Sequence, residues 1–327
     1  MNAPRGIAAP FAAQNRLHHL CMVCAWFVYD PIKVNTVTNI INAIAEISDQ
    51  YDAAFVDLWG CMHNGVAALP DAVAAMRSYR ERGGIVVLVT NSPRPWDSVA
   101  KQIAGFGITE ESWDAIATSG DSARAAMYLG AVGQKIWFMG ESPRDDDFFK
   151  PLAIIDNPVA IERVPLDQAE GIVCCGPFDP MADPAVNRAD FLAAKTRGLK
   201  LLCANPDIVV DRGDVREWCA GALAALYTEM GGESLYFGKP HPPIYDLARR
   251  RLAALTNAPH DPRIICIGDG IHTDVLGGQQ EDLDTLFISG GLAAAETRTV
   301  TDPDPDLLDA YLDDHQTHAT HTIGHLR

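Results

Sequence analysis

Ala53-Ala54-Phe55-Val56-Asp57-Leu58-Trp59-Gly60 and, a helix-length interval later, Ile85-Val86-Val87-Leu88-Val89-Thr90-Asn91-Ser92 decide the fold. Each is a short unbroken apolar run that ends in polar residues, the pattern of a strand buried on both faces. Between them Pro70 opens a helix through Arg82, because proline is favoured in a first turn, and Gly83-Gly84 closes it. Strand, helix and strand make a βαβ unit, so the two strands run parallel and their carboxyl ends share an edge. Asp57 and Thr90 therefore converge where open α/β sheets bind ligands.

Upstream, Val37 to Ser48 carries a helical pattern with Ile40, Ile41, Ile44 and Ile47 on one face. Downstream the strand pattern returns in Ser234-Leu235-Tyr236-Phe237-Gly238-Lys239-Pro240. A helix follows from about Pro243 to Leu255, then the strands Arg263 to Asp269 and Thr285 to Ser289. These elements extend the first sheet, so the expected fold is α/β, a Rossmann-like doubly wound parallel-sheet core. The stretch Ile116 to Pro206 has strands (Lys135 to Met139, Gly171 to Cys175, Lys200 to Cys203) and helices (Ser122 to Leu129, Pro184 to Arg197) of its own. It can bury a core and reads as an inserted α/β cap domain. The boundaries are 1–35 for an N-terminal extension, 36–115 and 207–300 for the core, 116–206 for the cap and 301–327 for a tail. In that tail His315, His318, His321 and His325 could share a helix face, but Thr-His-Ala-Thr-His-Thr is poor in apolar anchors, and a loose polar terminus is expected.

Lys plus Arg number 26 against 43 for Asp plus Glu in the 327 residues, a net charge of -17 that repels polyanions and argues against a nucleic-acid partner. A small phosphorylated substrate stays compatible, since a bound cation and local donors override the global field at short range. The eight cysteines sit mostly in apolar runs and read as buried reduced thiols; Cys21 and Cys24 form a CxxC without a second pair at zinc-ribbon spacing. Leu20 to Tyr29 is too short to cross a bilayer and lacks a cleavage site after it, so a cytoplasmic protein with no membrane partner is expected.

Four motifs stand at strand ends in order: Asp57-Leu58-Trp59-Gly60, Thr90-Asn91-Ser92, Gly238-Lys239-Pro240, and Gly268-Asp269-Gly270-Ile271-His272-Thr273-Asp274. The order resembles the haloacid dehalogenase (HAD) superfamily, and more narrowly its class IIA phosphatases, in which a cap interrupts the chain between the second and third motifs. The resemblance spans about residues 40 to 295. It implies that Asp57 attacks phosphorus and forms an aspartyl phosphate, a covalent step that splits hydrolysis into two easier displacements. Thr90 and Asn91 would offer a hydroxyl and backbone donors to the phosphoryl oxygens, with Ser92 beside them on the substrate. Lys239 would neutralise phosphate and nucleophile as a point charge. Asp269 and Asp274 are hard oxygen ligands for Mg²⁺, and the resemblance adds Asp57 and the backbone carbonyl of Trp59 to the metal set.

The departure is Trp59, which stands where the resembled class carries a second aspartate that acts as general acid and base, a contribution of about 10²–10⁴-fold. His63, in the same loop, is the candidate replacement at the substrate. Three readings stay open: a phosphatase with another acid or with good leaving groups only, a hydrolase of carbon–phosphorus or carbon–halogen bonds, or a non-catalytic binder of a phosphorylated ligand. Asp269 and Asp274 speak against halide displacement, which needs no Mg²⁺. Cys203-Ala204-Asn205-Pro206-Asp207 resembles the cap segment that returns over the site, so Asn205 and Asp207 are expected substrate contacts. A homodimer stays open, because dimerisation through the cap is common in the resembled class and no residue pattern here decides it.

Overall fold

The computed structural model describes residues 38–150, 157–212, 215–255 and 259–327. The expected N-terminal extension, its apolar run and the Cys21/Cys24 pair lie outside the described residues. Along the chain, β1 (Asn39–Ile40), β2 (Ala53–Val56), β3 (Ile85–Thr90) and β4 (Ala115–Thr118) enter a first sheet. A second sheet takes β5 (Lys135–Met139), β6 (Glu162–Arg163), β7 (Gly171–Cys174) and β8 (Lys200–Cys203). An antiparallel hairpin, β9 (Val209–Arg212) and β10 (Val215–Trp218), precedes β11 (Glu233–Tyr236), which completes the second sheet. The chain returns to the first sheet with β12 (Ile264–Gly268), β13 (Asp284–Ile288) and β14 (His321–Ile323).

The first sheet has the order β1-β14-β13-β12-β2-β3-β4 and is parallel throughout. Its apolar runs are unbroken because both faces are covered. Ala54, Val56, Val86 and Leu88 point to Met76 and Tyr79 of α1 (Pro70–Glu81) and Val99 and Ile103 of α2 (Trp96–Phe106). Helix α3 (Ser119–Tyr128) leads to the second sheet, where α4 (Arg188–Thr196) and α5 (Ala220–Glu229) cover one face with Phe191, Leu223 and Tyr227. The other face of the first sheet, with Ala53, Phe55, Val87 and Val89, meets Ile244, Tyr245 and Leu252 of α6 (Pro242–Ala253). Each buried Val, Leu, Ile, Met or Phe among them contributes about 1.5–3 kcal/mol. The second sheet, β11-β8-β7-β5-β6, has its own buried set, so it is a second layer and not an extension of the first.

Four expectations are corrected. The helix expected over Val37 to Ser48 does not form among its described residues, 38–48: Asn39 and Ile40 pair with β14, and short 3₁₀ turns follow at Ile44–Glu46 and Ser48–Gln50. Ile41, Ile44 and Ile47 are buried as their spacing suggested, but β-branched residues at the start favour the extended pairing. The cap boundary at 116 falls inside β4, an edge strand of the first sheet. Ser234 to Tyr236 belongs to the second sheet, paired with β8, so the insertion runs to Tyr236 and not to 206. The tail is part of the first sheet: α8 (Pro305–Asp314), following a short α7 (Leu276–Gln280), precedes β14, where His321 is buried between Asn39 and the Tyr51 hydroxyl. Ala319, Thr322, Ile323 and Leu326 are the anchors that the polar composition obscured.

The six described cysteines are buried and unpaired. Among the described residues no helix is long and apolar enough to cross a membrane.

Candidate active site

Strands β2, β3 and β12 are neighbours, and their carboxyl ends deliver three of the four motifs to one edge. The Asp57 amide donates to the Ile267 carbonyl at 2.8 Å, so the ladder between β2 and β12 holds the nucleophile candidate up to its own backbone. Asp269 follows β12 directly. A Cβ on Gly60 would stand 2.0 Å from Asp269 Oδ2, and Gly60 has φ +69°; only glycine lets the Asp57 loop approach that carboxylate. Beyond it the chain makes a π turn over Ile271–Val275, which folds Asp274 back so that its Oδ2 accepts from the Gly270 amide at 3.1 Å.

Lys239 arrives from the second sheet, three residues past β11. Its ammonium is buried and lies 2.6 Å from both Asp57 Oδ1 and Asp274 Oδ1. Asn91 fixes it from the first sheet: its Oδ1 accepts from the Lys239 amide at 2.7 Å and its Nδ2 donates to the Lys239 carbonyl at 3.2 Å. The same Nδ2 donates to Asp207 Oδ1 at 2.8 Å, and the Asp207 amide donates to Asn205 Oδ1 at 3.0 Å. Asn205 is thus the side chain of an Asx turn. Thr90 is buried, and its hydroxyl accepts from the Ser92 amide at 3.3 Å.

Electrostatics mark the place. Burial pushes the Asp57 carboxyl up, against the pull of Lys239. Burial, then Asp57 and Asp274, hold Asp269 well above the usual carboxylate range, and Asp274 is raised for the same reasons in spite of Lys239. Lys239 itself is raised by its two carboxylates, which outweigh its burial, so the ammonium stays charged. Three carboxylates therefore share one ammonium. Such a surplus of buried negative charge is relieved by a cation. Ligand atoms of Asp57, Cys61 and Asp269 lie within 4.8 Å of one another, and the two carboxylates are hard oxygen donors of the kind Mg²⁺ takes. Asp57 and Asp269 fit the metal that the sequence implied, whereas Asp274, expected as a further carboxylate ligand, is corrected: its oxygens are held by the Lys239 ammonium and the Gly270 amide.

Asp57, Trp59, Thr90, Asn91, Ser92, Asn205, Asp207, Lys239 and Asp269 all line one cavity of about 610 Å³. His63 is not among its lining residues. It is 2% exposed, its ring meets those of Trp59 and Phe106 edge-on at 5.1 Å, and its Nδ1 accepts from the Gly65 amide. The expectation that His63 meets the substrate is therefore corrected: the tryptophan stands between it and the site. Burial pushes the His63 imidazole down to about 4 from its ordinary 6.5. The unfolded chain takes that proton near pH 6.5 and the folded chain only near 4. The stability contributed by neutral His63, on the order of 3 kcal/mol, is thus complete above pH 6.5 and disappears as pH falls toward 4. Melting curves of wild type and His63→Phe between pH 7 and 4.5 should show a smaller acid-induced drop in the variant; parallel drops would reject this role.

Residues from the insertion that the sequence did not single out also face the cavity, among them Arg144 after β5, Trp218 of the hairpin and Tyr236 of β11. Tyr236 stacks on His241 at 4.7 Å. Ser119, whose hydroxyl donates to the Asn91 carbonyl at 2.8 Å, was missed because only the crossing from β4 into α3 brings it there. Cys61 did carry a signal, as a ligand-type residue four positions after Asp57 in the same loop.

A parallel α/β sheet with an acidic, lysine-bearing edge under an inserted second sheet defines a hydrolase of the haloacid dehalogenase type. A haloacid dehalogenase-like hydrolase family matches residues 54–150, and a HAD-hydrolase-like family matches residues 236–315. A haloacid dehalogenase-like hydrolase from Brucella suis 1330 is 36% identical, with 88% of this chain and 100% of that one covered and a TM-score of 0.75. This chain belongs to that family, and its insertion between the second and third motifs places it in class IIA. Ribonucleotide monophosphatase NagD of Escherichia coli K12 is 25% identical over 238 residues, 72% of this chain and 86% of the relative. A glycerol phosphate phosphatase from Mycobacterium tuberculosis in complex with magnesium shares the fold with a TM-score of 0.56 at 23% identity, covering 75% of this chain and 70% of that one.

Proposed function

We propose that this protein is a Mg²⁺-dependent phosphatase that hydrolyses small phosphate monoesters through an aspartyl phosphate on Asp57. The observation that carries this reading is the pairing of a cavity-lining carboxylate, Asp57, with a buried ammonium 2.6 Å away, beside the acidic surplus formed with Asp269 and Asp274. The relatives support it: the E. coli relative is named a ribonucleotide monophosphatase, and Arabidopsis thaliana phosphoglycolate phosphatase 2 is 24% identical over 75% of this chain.

Asp57 is aligned by the β2–β12 ladder and by Lys239, so its free oxygen attacks phosphorus without a search for geometry. Thr90 and the backbone amides after it oppose the charge on the phosphoryl oxygens, and Lys239 offsets that on the nucleophile. Asp57 and Asp269 would hold Mg²⁺, which supplies charge stabilisation to a bound phosphoryl group. Trp59 covers the loop that carries Asp57, so the leaving group meets an indole and not a proton donor at that position. The cavity takes a small metabolite, and its residues from the second sheet would set which one.

The test is release of inorganic phosphate from p-nitrophenyl phosphate and a panel of phosphorylated metabolites. Turnover is expected with Mg²⁺ and should disappear on chelation. Metal-independent turnover, or none on any ester, would sink the reading.

A further inference from the structure

An alkyl phosphate cannot lose its alkoxide readily without a proton, and the neighbours of Asp57 in its loop that face the cavity, Trp59 and Gly60, offer none. Leu58 and Trp59 carry no exchangeable acid, and His63 lies behind the indole. Four carboxyl groups outside the motifs face the cavity: Glu141, Asp145, Asp207 and Glu217. Glu141 is paired with Arg144, and Asp145 accepts from the Glu141 amide at 2.8 Å, so both belong to the turn after β5. Glu217 is on β10 of the hairpin. Asp207 differs. Its Oδ1 accepts from Asn91, the side chain that also grips Lys239, while its Oδ2 takes no hydrogen bond among the described residues. Its backbone is pinned at both ends, by the Asx turn on Asn205 and by the Gly221 amide donating to its carbonyl at 3.1 Å.

Building on the phosphatase reading, we propose that Asp207 is the proton-transfer residue of this enzyme, reaching the reacting oxygens from the loop between β8 and β9. In the first displacement Asp57 Oδ forms a bond to phosphorus, and the bond from phosphorus to the leaving oxygen breaks. That oxygen keeps the electron pair and takes the proton from the Asp207 carboxyl. In the second, the Asp207 carboxylate takes a proton from water as the water oxygen bonds to phosphorus. The bond to Asp57 breaks, inorganic phosphate departs, and Asp207 is protonated again. Two further facts agree. The charge of Asp207 reaches Asp57, less strongly than burial and Lys239 do, and that of Lys239 reaches Asp207, so the three sit within electrostatic reach. Burial also pushes the Asp207 carboxyl up, which favours its proton-carrying form.

Asp207→Asn is the test, because the amide oxygen still accepts from Asn91 while the exchangeable proton is gone. The probes are p-nitrophenyl phosphate and n-butyl phosphate, each with Mg²⁺. With n-butyl phosphate the variant should lose about 10²-fold or more. With p-nitrophenyl phosphate its burst of nitrophenolate should stay within about threefold of wild type, since that group leaves without a proton, while steady-state turnover falls because water attack still needs the base. The surviving burst also shows that the variant is folded. Equal losses on both esters in the first turnover, or no loss on either, would overturn the role of Asp207 and leave the phosphatase reading intact. A wild type inactive on both esters overturns the two together.

Discussion

An Asp57→Asn variant should lose turnover on every ester that the wild type hydrolyses, by at least about 10³-fold, because an amide cannot form the acyl phosphate. Its stability should move the other way. Asp57 is raised by burial even with the Lys239 ammonium 2.6 Å away, so the folded state holds this charge at a net cost. Removing it leaves Lys239 still paired with Asp274 and lowers the acidic surplus. Without divalent cations the variant should therefore melt no lower than wild type, and Mg²⁺ should stabilise it less. Calorimetry with and without the metal decides the matter. A variant that melts well below wild type would show that Asp57 is a structural carboxylate.

Lys239→Met should have the largest effect on stability of any single change at the site. Methionine fills most of the volume, but Asp57 and Asp274 are left buried without a counter-charge, a loss of about 3–5 kcal/mol when one partner of a buried pair is removed. The sign with pH follows from the direction of the carboxyl shifts. Both acids are already raised in the folded wild type, and the variant removes the cation that opposes this. The folded variant then binds protons that the unfolded chain releases, so its deficit is full at neutral pH and shrinks on acidification. Denaturant titrations at pH 7.5 and 5.5 should show the gap to wild type narrowing at the lower value. A gap that widens instead would mean that Lys239 contributes through packing and not through charge.

Much of this site was legible because the runs Ala53 to Val56, Ile85 to Thr90 and Ile264 to Gly268 are short, apolar and uninterrupted. A parallel sheet covered on both faces makes that demand of a sequence. Once those three are strands, Asp57, Thr90 and Asp269 have to share an edge. What escaped was relational. Ser234 to Tyr236 has the same apolar character whether it pairs with β8 or with the first sheet, and nothing local selects the partner. His321 and Thr322 are polar residues in a three-residue strand whose burial comes from Tyr51 and Asn39, about 270 to 280 positions away along the chain. His63 was misplaced because its type suggests proton transfer, whereas its burial follows from Trp59 and Phe106 closing over it.

The place where Lys239 enters has a mechanical side. The second sheet is joined to the first through two stretches of chain, one running from β4 into α3 and the other from β11 through Lys239 into α6. The charge that offsets the nucleophile is thus mounted on one of the two pivots, and Asn91, at the end of β3, holds that pivot by two hydrogen bonds to Lys239 and ties the loop after β8 to it by a third, to Asp207. A rotation of the second sheet large enough to break those bonds would carry the ammonium away from Asp57. The contacts that charge the site are therefore the same ones that fasten the two sheets together at Lys239.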